Sequence, residues 1–189
     1  MKRTFFIIFG LSLFISSCVH YQLGTGRRSL TGGYQQVALP LFKNKSMEPG
    51  IEVEFTNALM QEFQRSKAVK VVDKNLSEVE LRGTIESVSY VPGGLKTAEP
   101  SSVMPSGSVI ATAYTIQVRL RIELIKKHDQ SVVWSGSFSG ERGYSAPQVT
   151  IPGINSVNPN YNLSARRLQM GLIANDMMIE VHDRMTETF

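Results

Sequence analysis

The 189-residue chain contains a single cysteine, Cys18, and has no long apolar run after its first 17 residues. One thiol cannot form an intramolecular disulfide, and a structural zinc site built from several cysteines is also excluded. No later segment offers the about 20 apolar residues that a membrane-spanning helix needs. The formal net charge is +4 and the basic residues are scattered, so a nucleic-acid partner is not expected.

The usual signatures of catalysis are missing too. The three histidines, His20, His128 and His182, do not have the spacing of metal ligands. The pentad 136–140 has phenylalanine, not serine, at its centre, so it is not the nucleophile elbow of a hydrolase. Residues 24–26 lack the third glycine of a dinucleotide-binding loop. We therefore expect no catalytic residue, no metal and no cofactor, and the chain is not predicted to be an enzyme.

What the chain does have is the layout of a bacterial lipoprotein signal. Lys2 and Arg3 precede the apolar segment 5–15, and small residues lead to Cys18. This pattern predicts cleavage before Cys18, which then carries the acyl chains, palmitate among them, that anchor the protein. An ordinary signal peptide followed by an incidental thiol is the alternative. Val19 stands where inner-membrane lipoproteins typically carry aspartate, so we expect the inner leaflet and periplasmic side of a Gram-negative outer membrane.

The chain is predicted to divide into three parts. Residues 1–17 are the lipoprotein signal peptide, and residues 18–34, rich in glycine, serine and threonine, are the acylated N-terminus and a flexible tether. Residues 35–189 have a suitable length for a single folded domain.

Apolar periodicity predicts the elements of that domain. Alternation indicates strands at 36–42, 78–91, 114–124 and 131–140, and helical spacing indicates helices at 46–66 and 162–185. Residues 68–72 are a candidate for a further short strand. The alternation slips within the strand 78–91, which indicates a β-bulge. The segments 92–108 and 143–159, with their prolines and glycines, are predicted to be irregular loops.

This order of elements predicts an α+β fold: a two-layer sandwich with two α-helices packed on one face of a four-stranded mixed β-sheet. The first helix has an apolar stripe at Ile51, Phe55, Ala58, Leu59 and Phe63. The last helix has one at Leu163, Met170, Ala174, Met177, Val181 and Met185. The sheet face away from the helices is expected to be polar, and either solvated or covered by another molecule.

Several segments resemble the LptE family of outer-membrane lipopolysaccharide-assembly lipoproteins. Residues 37–44, which read Val-Ala-Leu-Pro-Leu-Phe-Lys-Asn, are similar to the family's first strand, and residues 49–63 to its first helix. Residues 81–85 resemble the second strand, and residues 133–136 with 143–144 resemble the hairpin and its exit. The similarity covers most of residues 36 to 185.

The resemblance implies that the protein binds an LptD-like β-barrel, sits partly inside its lumen as a plug, and assists barrel assembly and insertion of lipopolysaccharide into the outer leaflet. Lipopolysaccharide is anionic, so Arg82, Arg119 and Arg121 of the polar sheet face and Lys96 of the segment 92–108 are candidate contacts for its phosphates. The alternative for these residues is that alternating arginine and glutamate simply solvate a sheet.

A second function remains open from the sequence. The chain could be a lipoprotein subunit of another periplasmic secretion or transport machine, such as a curli-like ring subunit or a pilotin. A ring subunit predicts large homo-oligomers, whereas a plug predicts a one-to-one complex. A lipid carrier or lipid-handling enzyme is disfavoured, because the apolar pattern leaves no spare face for a closed pocket.

Overall fold

A computed structural model describes residues 29–97, 107, 109–145, 148–151, 154–157 and 159–186. Cys18 and the predicted signal peptide lie outside the described residues. The elements are β1 (Gln36–Val37), β2 (Lys43–Asn44), α1 (Ile51–Ser66), β3 (Lys70–Val71), β4 (Val79–Thr97), β5 (Val109–Lys126), β6 (Val132–Ser145), β7 (Gln148–Ile151), β8 (Ile154–Val157) and α2 (Pro159–Thr186). A short 3-10 turn at Lys74–Leu76 precedes β4.

The central layer is a four-stranded mixed sheet in the order β2-β4-β5-β6. β2 runs parallel to β4, whereas the β4–β5 and β5–β6 pairs are antiparallel. Both helices pack on one face of this sheet and share one hydrophobic core with it, so the predicted α+β sandwich is confirmed. β1 and β3 form a separate parallel pair, and β7 and β8 form a separate hairpin.

Strand β5 forms the middle of the core, and its alternation explains why. Ile116, Val118, Leu120, Ile122 and Leu124 are all fully buried, while the residues between them face away from the helices. An antiparallel sheet covered on one side needs this pattern. Each such side chain contributes about 1.5–3 kcal/mol on burial, so β5 anchors the sheet against both helices.

The apolar stripes predicted for the two helices are buried as expected, although Leu163 is only half-buried. α1 begins at Ile51 and not at residue 46. The preceding residues form a turn in which Asn44 Oδ1 accepts the N–H of Ser46 (2.9 Å) and Asn44 Nδ2 donates to the carbonyl oxygen of Glu48 (2.7 Å). In the part of the chain that is described, no helix is long and apolar enough to cross a membrane.

The prediction of one strand over 36–42 is wrong beyond Val37: β1 ends there and pairs with β3, and after a bend the chain forms β2 at Lys43–Asn44, which pairs with β4. Pro40 lies at the bend and has no N–H, so one continuous ladder cannot pass through it. After the bend, Phe42 packs on Gly83 of β4, and its N–H donates to Oγ1 of Thr56 (3.0 Å). The bend therefore transfers the chain from one sheet to the other.

The prediction of an irregular loop over 92–108 is wrong for residues 92–97, which continue β4 and pair with β5 between Val109 and Tyr114. Residues 98–106 and 108 of that predicted loop lie outside the described residues. Pro92 fits this ladder because it lies opposite Tyr114, where the backbone nitrogen faces the free side of β4 and no ladder hydrogen bond is lost. The prediction for 143–159 is also wrong in part, since this segment contains the end of β6 and the β7–β8 hairpin. The predicted slip in the strand 78–91 is confirmed as a bulge between Ile85 and Ser87.

Residues 29–34 pack on the domain, although we expected them to belong to the flexible tether. Leu30 is fully buried in the core. The N–H and the Oγ1 of Thr31 both donate to the carbonyl oxygen of Met185, at 3.0 and 3.2 Å. The folded part of the chain therefore includes these residues and is fastened to the C-terminal end of α2.

Candidate functional site

The sheet face away from the helices, which we call the outer face, is open and polar. Its side chains on β4 to β6 are those of Arg82, Thr84, Ser87, Ser89, Gln117, Arg119, Arg121, Glu123, Ser135, Ser137, Ser139 and Glu141. The strand alternation that buries the β5 core residues places these side chains together on the opposite side.

Arg119 and Arg121 lie at the centre of the outer face. Strand pairing puts Arg119 directly between Ser87 of β4 and Ser139 of β6. The two arginines are two residues apart on one strand, so their Cα atoms are about 7 Å apart and both guanidinium groups can reach one ligand. The neighbouring serines are small and leave both arginines accessible.

The two arginines differ in their partners. Nε of Arg121 donates to Oε1 of Glu123 at 2.9 Å, and its side chain is half exposed. Arg119 is exposed and has neither an ion pair nor a side-chain hydrogen bond within the described residues. All five N–H donors of Arg119 are therefore available to an external acceptor.

Arg82 is occupied by a structural interaction. Its Nε donates to Oε1 of Glu80 at 2.7 Å, and Lys74 lies 3.1 Å from the other carboxylate oxygen. Glu80 is only 5% exposed, and the hydrogen bond from Arg82 holds the pKa of this carboxyl below its usual value. The remaining Arg82 donors include one that binds the side-chain oxygen of Gln130 at 3.1 Å. The structure therefore assigns Arg82 to neutralising a buried carboxylate.

Lys96 is not brought together with the three arginines. It lies near the far end of β4, opposite Ile110, and its side chain is exposed. The alternation along β4 after the bulge places Lys96 on the same face of the strand as Tyr90, which packs against the core. Lys96 therefore belongs to the helix side of the β4–β5 ribbon and not to the outer face.

The sequence did not identify Lys43 as a member of the outer face. β2 places Lys43 beside Thr84, which in turn lies beside Arg121, so the three form one row across the sheet. Two strand spacings separate Lys43 from Arg121, about 10 Å between Cα atoms. Lys43 is exposed and has no ion pair among the described residues. A two-residue strand has too short an alternation to show this pairing in a sequence.

A second polar cluster, also missed, lies on the helix side. The hydroxyl of Tyr90 donates to Oε2 of Glu48 at 2.5 Å, and a guanidinium nitrogen of Arg166 lies 3.4 Å from the other oxygen. The Arg166 guanidinium also sits 5.5 Å from the centre of the Tyr90 ring. Burial, reinforced by Glu48, raises the pKa of Tyr90. The cluster joins β4, the segment before α1, and α2.

A cleft of about 480 Å³ opens beside this cluster, lined by side chains that include Met47, Glu54, Arg167 and Met170. It is open to solvent, and its two glutamates and two arginines balance in charge. Across the described ranges, no three His, Cys, Asp or Glu side chains converge to hold a metal ion. Among the described residues, the open and charged outer face is therefore the candidate site that the sequence also indicated.

Fold and outer face together define an α+β domain of two layers, with a helix-covered core and one exposed, polar sheet face. The chain belongs to the LptE family, whose model, described as lipopolysaccharide-assembly, matches residues 34–188. The family assignment made from the sequence is therefore confirmed. No curated protein matches the chain.

The chain is similar to several solved structures at low sequence identity. A neuraminyllactose-binding hemagglutinin homologue from Helicobacter pylori is 13% identical, with a TM-score of 0.54, and the match covers 89% of this chain and 93% of that one. The PelC dodecamer from Paraburkholderia phytofirmans is 14% identical, with a TM-score of 0.48 and coverage of 82% and 90%. A minor lipoprotein from Acinetobacter baumannii is 8% identical, with a TM-score of 0.43 and coverage of 81% and 91%. At 13% identity the likeness to the Helicobacter pylori protein concerns the fold alone.

Proposed function

We propose that this protein is an outer-membrane lipoprotein, acylated at Cys18, that binds an LptD-like β-barrel and assists lipopolysaccharide insertion into the outer leaflet. Membership of the lipopolysaccharide-assembly family supports this role. The signal layout around Cys18 supports a lipid anchor on the periplasmic side. The domain itself then acts by binding.

The observation that carries the lipopolysaccharide part is the pair Arg119 and Arg121 on an open face lined with hydroxyl groups. A phosphate oxygen is well matched to a guanidinium fork, and within the described part of the chain no carboxylate competes for Arg119. Ser87 and Ser139 flank it and can donate further hydrogen bonds. We assign Arg119 and Arg121, with Lys43 at the end of their row, as contacts for lipopolysaccharide phosphates.

The plug role is supported by how the outer face and the core divide the molecule. A sheet that is apolar on one face and polar on the other can remain folded inside a water-filled barrel lumen without exposing its core. The polar outer face then contacts the water in the lumen, and an anionic headgroup that passes through the lumen can reach it.

Purified protein with Arg119→Ala is expected to bind lipopolysaccharide about three- to tenfold more weakly, since one charge-assisted contact is lost. Arg65→Ala is the control, because Arg65 is also an exposed arginine but lies on α1, where it pairs with Glu62. It removes the same charge away from the outer face. Equal losses in both variants, or no loss in either, contradict the assignment of Arg119.

The barrel partner is tested with the full tagged chain extracted from membranes in mild detergent. We expect one large β-barrel protein to co-purify at a one-to-one ratio. A homo-oligomeric ring without a barrel would overturn the proposal in favour of a ring subunit of another machine.

A further inference from the structure

Strand β6 is an edge strand with an unused side. In the described part of the chain it pairs with β5 and with no other strand. It runs for 14 residues, and no turn or loop hydrogen bond reaches the backbone of residues 134–144 from the described residues. An edge of this length presents a row of free N–H and C=O groups.

The register identifies these groups. The N–H of Leu81 and the carbonyl oxygen of Val79 form hydrogen bonds with the backbone of Ala38. The backbone N–H and C=O groups of the odd-numbered residues at the start of β4 therefore point away from β5. The backbone groups of Glu80 and Arg82 therefore point towards β5, where their partners are odd-numbered residues. The backbone groups of the even-numbered residues of β5 then point towards β6, where their partners are also even-numbered. The odd-numbered residues of β6 are left with their backbone groups on the free edge, and these are Ser135, Ser137, Ser139, Glu141 and Gly143.

This edge lacks the features that usually protect an edge strand. Residues 134–143 contain no proline and no lysine, and the one register shift of the β5–β6 pair comes before them, at Leu124 and Ile125. The outward-facing residues are small apart from Glu141. A second extended chain can therefore approach the backbone closely along most of β6.

Helix α2 covers the helix side of β6, where a Cβ on Gly140 would touch Met177. The carboxylates of α2 beside this edge already have cation partners, since Asp176 pairs with Arg142 and Glu180 pairs with Arg184, each at 2.5 Å. The helix side of the edge is therefore balanced in charge.

Glu141, on the outer face of β6, determines which chain fits. It is exposed and has no ion pair among the described residues. A strand added here places every second side chain on the outer face, so a lysine or arginine beside Glu141 is favoured.

We infer that the free edge of β6 binds an extended loop segment of the barrel partner by β-augmentation, with a basic side chain of the segment beside Glu141. This inference rests on the proposed function. The strands of a closed barrel have no free edge of their own, so only a segment outside the barrel wall can pair in this way. Main-chain hydrogen bonds supply the affinity, and the alternating side chains supply the specificity.

Hydrogen exchange of the full chain, alone and in the co-purified complex, tests this directly. In the free protein the amides of Ser135, Ser137, Ser139, Glu141 and Gly143 exchange fast, while the even residues are protected by β5. In the complex we expect the odd amides to slow by at least about tenfold. If the barrel is recovered but these amides exchange as in the free protein, the inference fails and the proposed function stands. If no barrel is recovered, the proposed function fails.

A backbone variant provides the second test. Ser137→Pro removes one outward N–H without breaking a bond to β5, and it should reduce recovery of the barrel by at least about fivefold. Ser137→Ala keeps the N–H and should leave recovery unchanged. Equal recovery with both variants contradicts the inference. Protection of the odd amides in the free chain, together with the mass of two copies, would instead assign this edge to a second copy.

Discussion

Gly83 is expected to be intolerant of a side chain because of one contact. It lies in β4 on the core face, and an added Cβ would come within 2.5–2.6 Å of the Phe42 ring. Ordinary carbon contacts lie at about 3.5–4.0 Å, so the ring has to retreat by about 1 Å. The Phe42 ring is 3% exposed and is held by its own backbone bond to Thr56, so it has little room to move.

The magnitude follows from packing. Gly83→Ala is expected to lower the free energy of unfolding by about 1–3 kcal/mol, the usual cost of overpacking. Phe42→Ala alone should cost about 3–5 kcal/mol through the cavity that it leaves. With the ring absent, Gly83→Ala should become neutral or stabilise by about 0.5–1 kcal/mol, because alanine is preferred to glycine within a strand. The double variant is thus more stable than the sum of the two single changes predicts.

The assay is urea unfolding followed by the fluorescence of Trp134, the one tryptophan of the chain. Gly143→Ala in β6 is the control, since a Cβ there meets nothing closer than an oxygen at 3.8 Å and should change stability little. The double-mutant cycle should give a coupling energy of about 1–4 kcal/mol. Additive effects, or an equal loss in the Gly143 variant, would refute the reasoning.

Two further predictions concern charge and the anchor. The Arg82 hydrogen bond lowers the pKa of Glu80 in the folded state, so its stabilisation is present above about pH 4.5 and is lost as the pH falls below it. Arg82→Ala should cost about 1 kcal/mol at pH 7 and flatten the loss of stability in acid, whereas Arg119→Ala should leave that pH dependence unchanged; identical acid profiles would count against the role given to Arg82. Cys18→Ser should abolish labelled-palmitate incorporation and release the protein from membranes, and unchanged incorporation would disprove acylation at Cys18.

The sandwich could be predicted because its main elements carry strong periodic signals. The eleven-residue alternation of β5 predicts a strand with one buried face, and the apolar stripe of α1 predicts an amphipathic helix. In the structure the residues on both predicted apolar faces are buried. The prediction failed where composition suggested loops. Pro92 and its neighbouring glycines indicate a break, but a proline whose nitrogen faces the free side of a strand costs the ladder nothing. Register, which composition does not reveal, decides such cases.

The candidate site was predictable in part for the same reason. Alternation correctly placed Arg82, Arg119 and Arg121 on one face, but three equivalent arginines in the sequence have three different surroundings in the fold. Arg82 is taken by a buried carboxylate and Arg121 by a neighbouring glutamate. Lys43 reaches the face only through a two-residue parallel pairing. Whether a cation is free depends on cross-strand neighbours, which single-strand patterns do not contain.

The free edge of β6 and the arginine pair are close enough to affect each other. Ser139 contributes its hydroxyl to the outer face beside Arg119 and its backbone to the edge. A segment added to β6 lies two strand spacings from Arg119, about 10 Å between Cα atoms, which is near the reach of an arginine side chain. A phosphate on the outer face and a bound partner segment would therefore border each other. For this reason lipopolysaccharide binding by Arg119→Ala has to be measured on the purified chain, where no barrel segment occupies the edge.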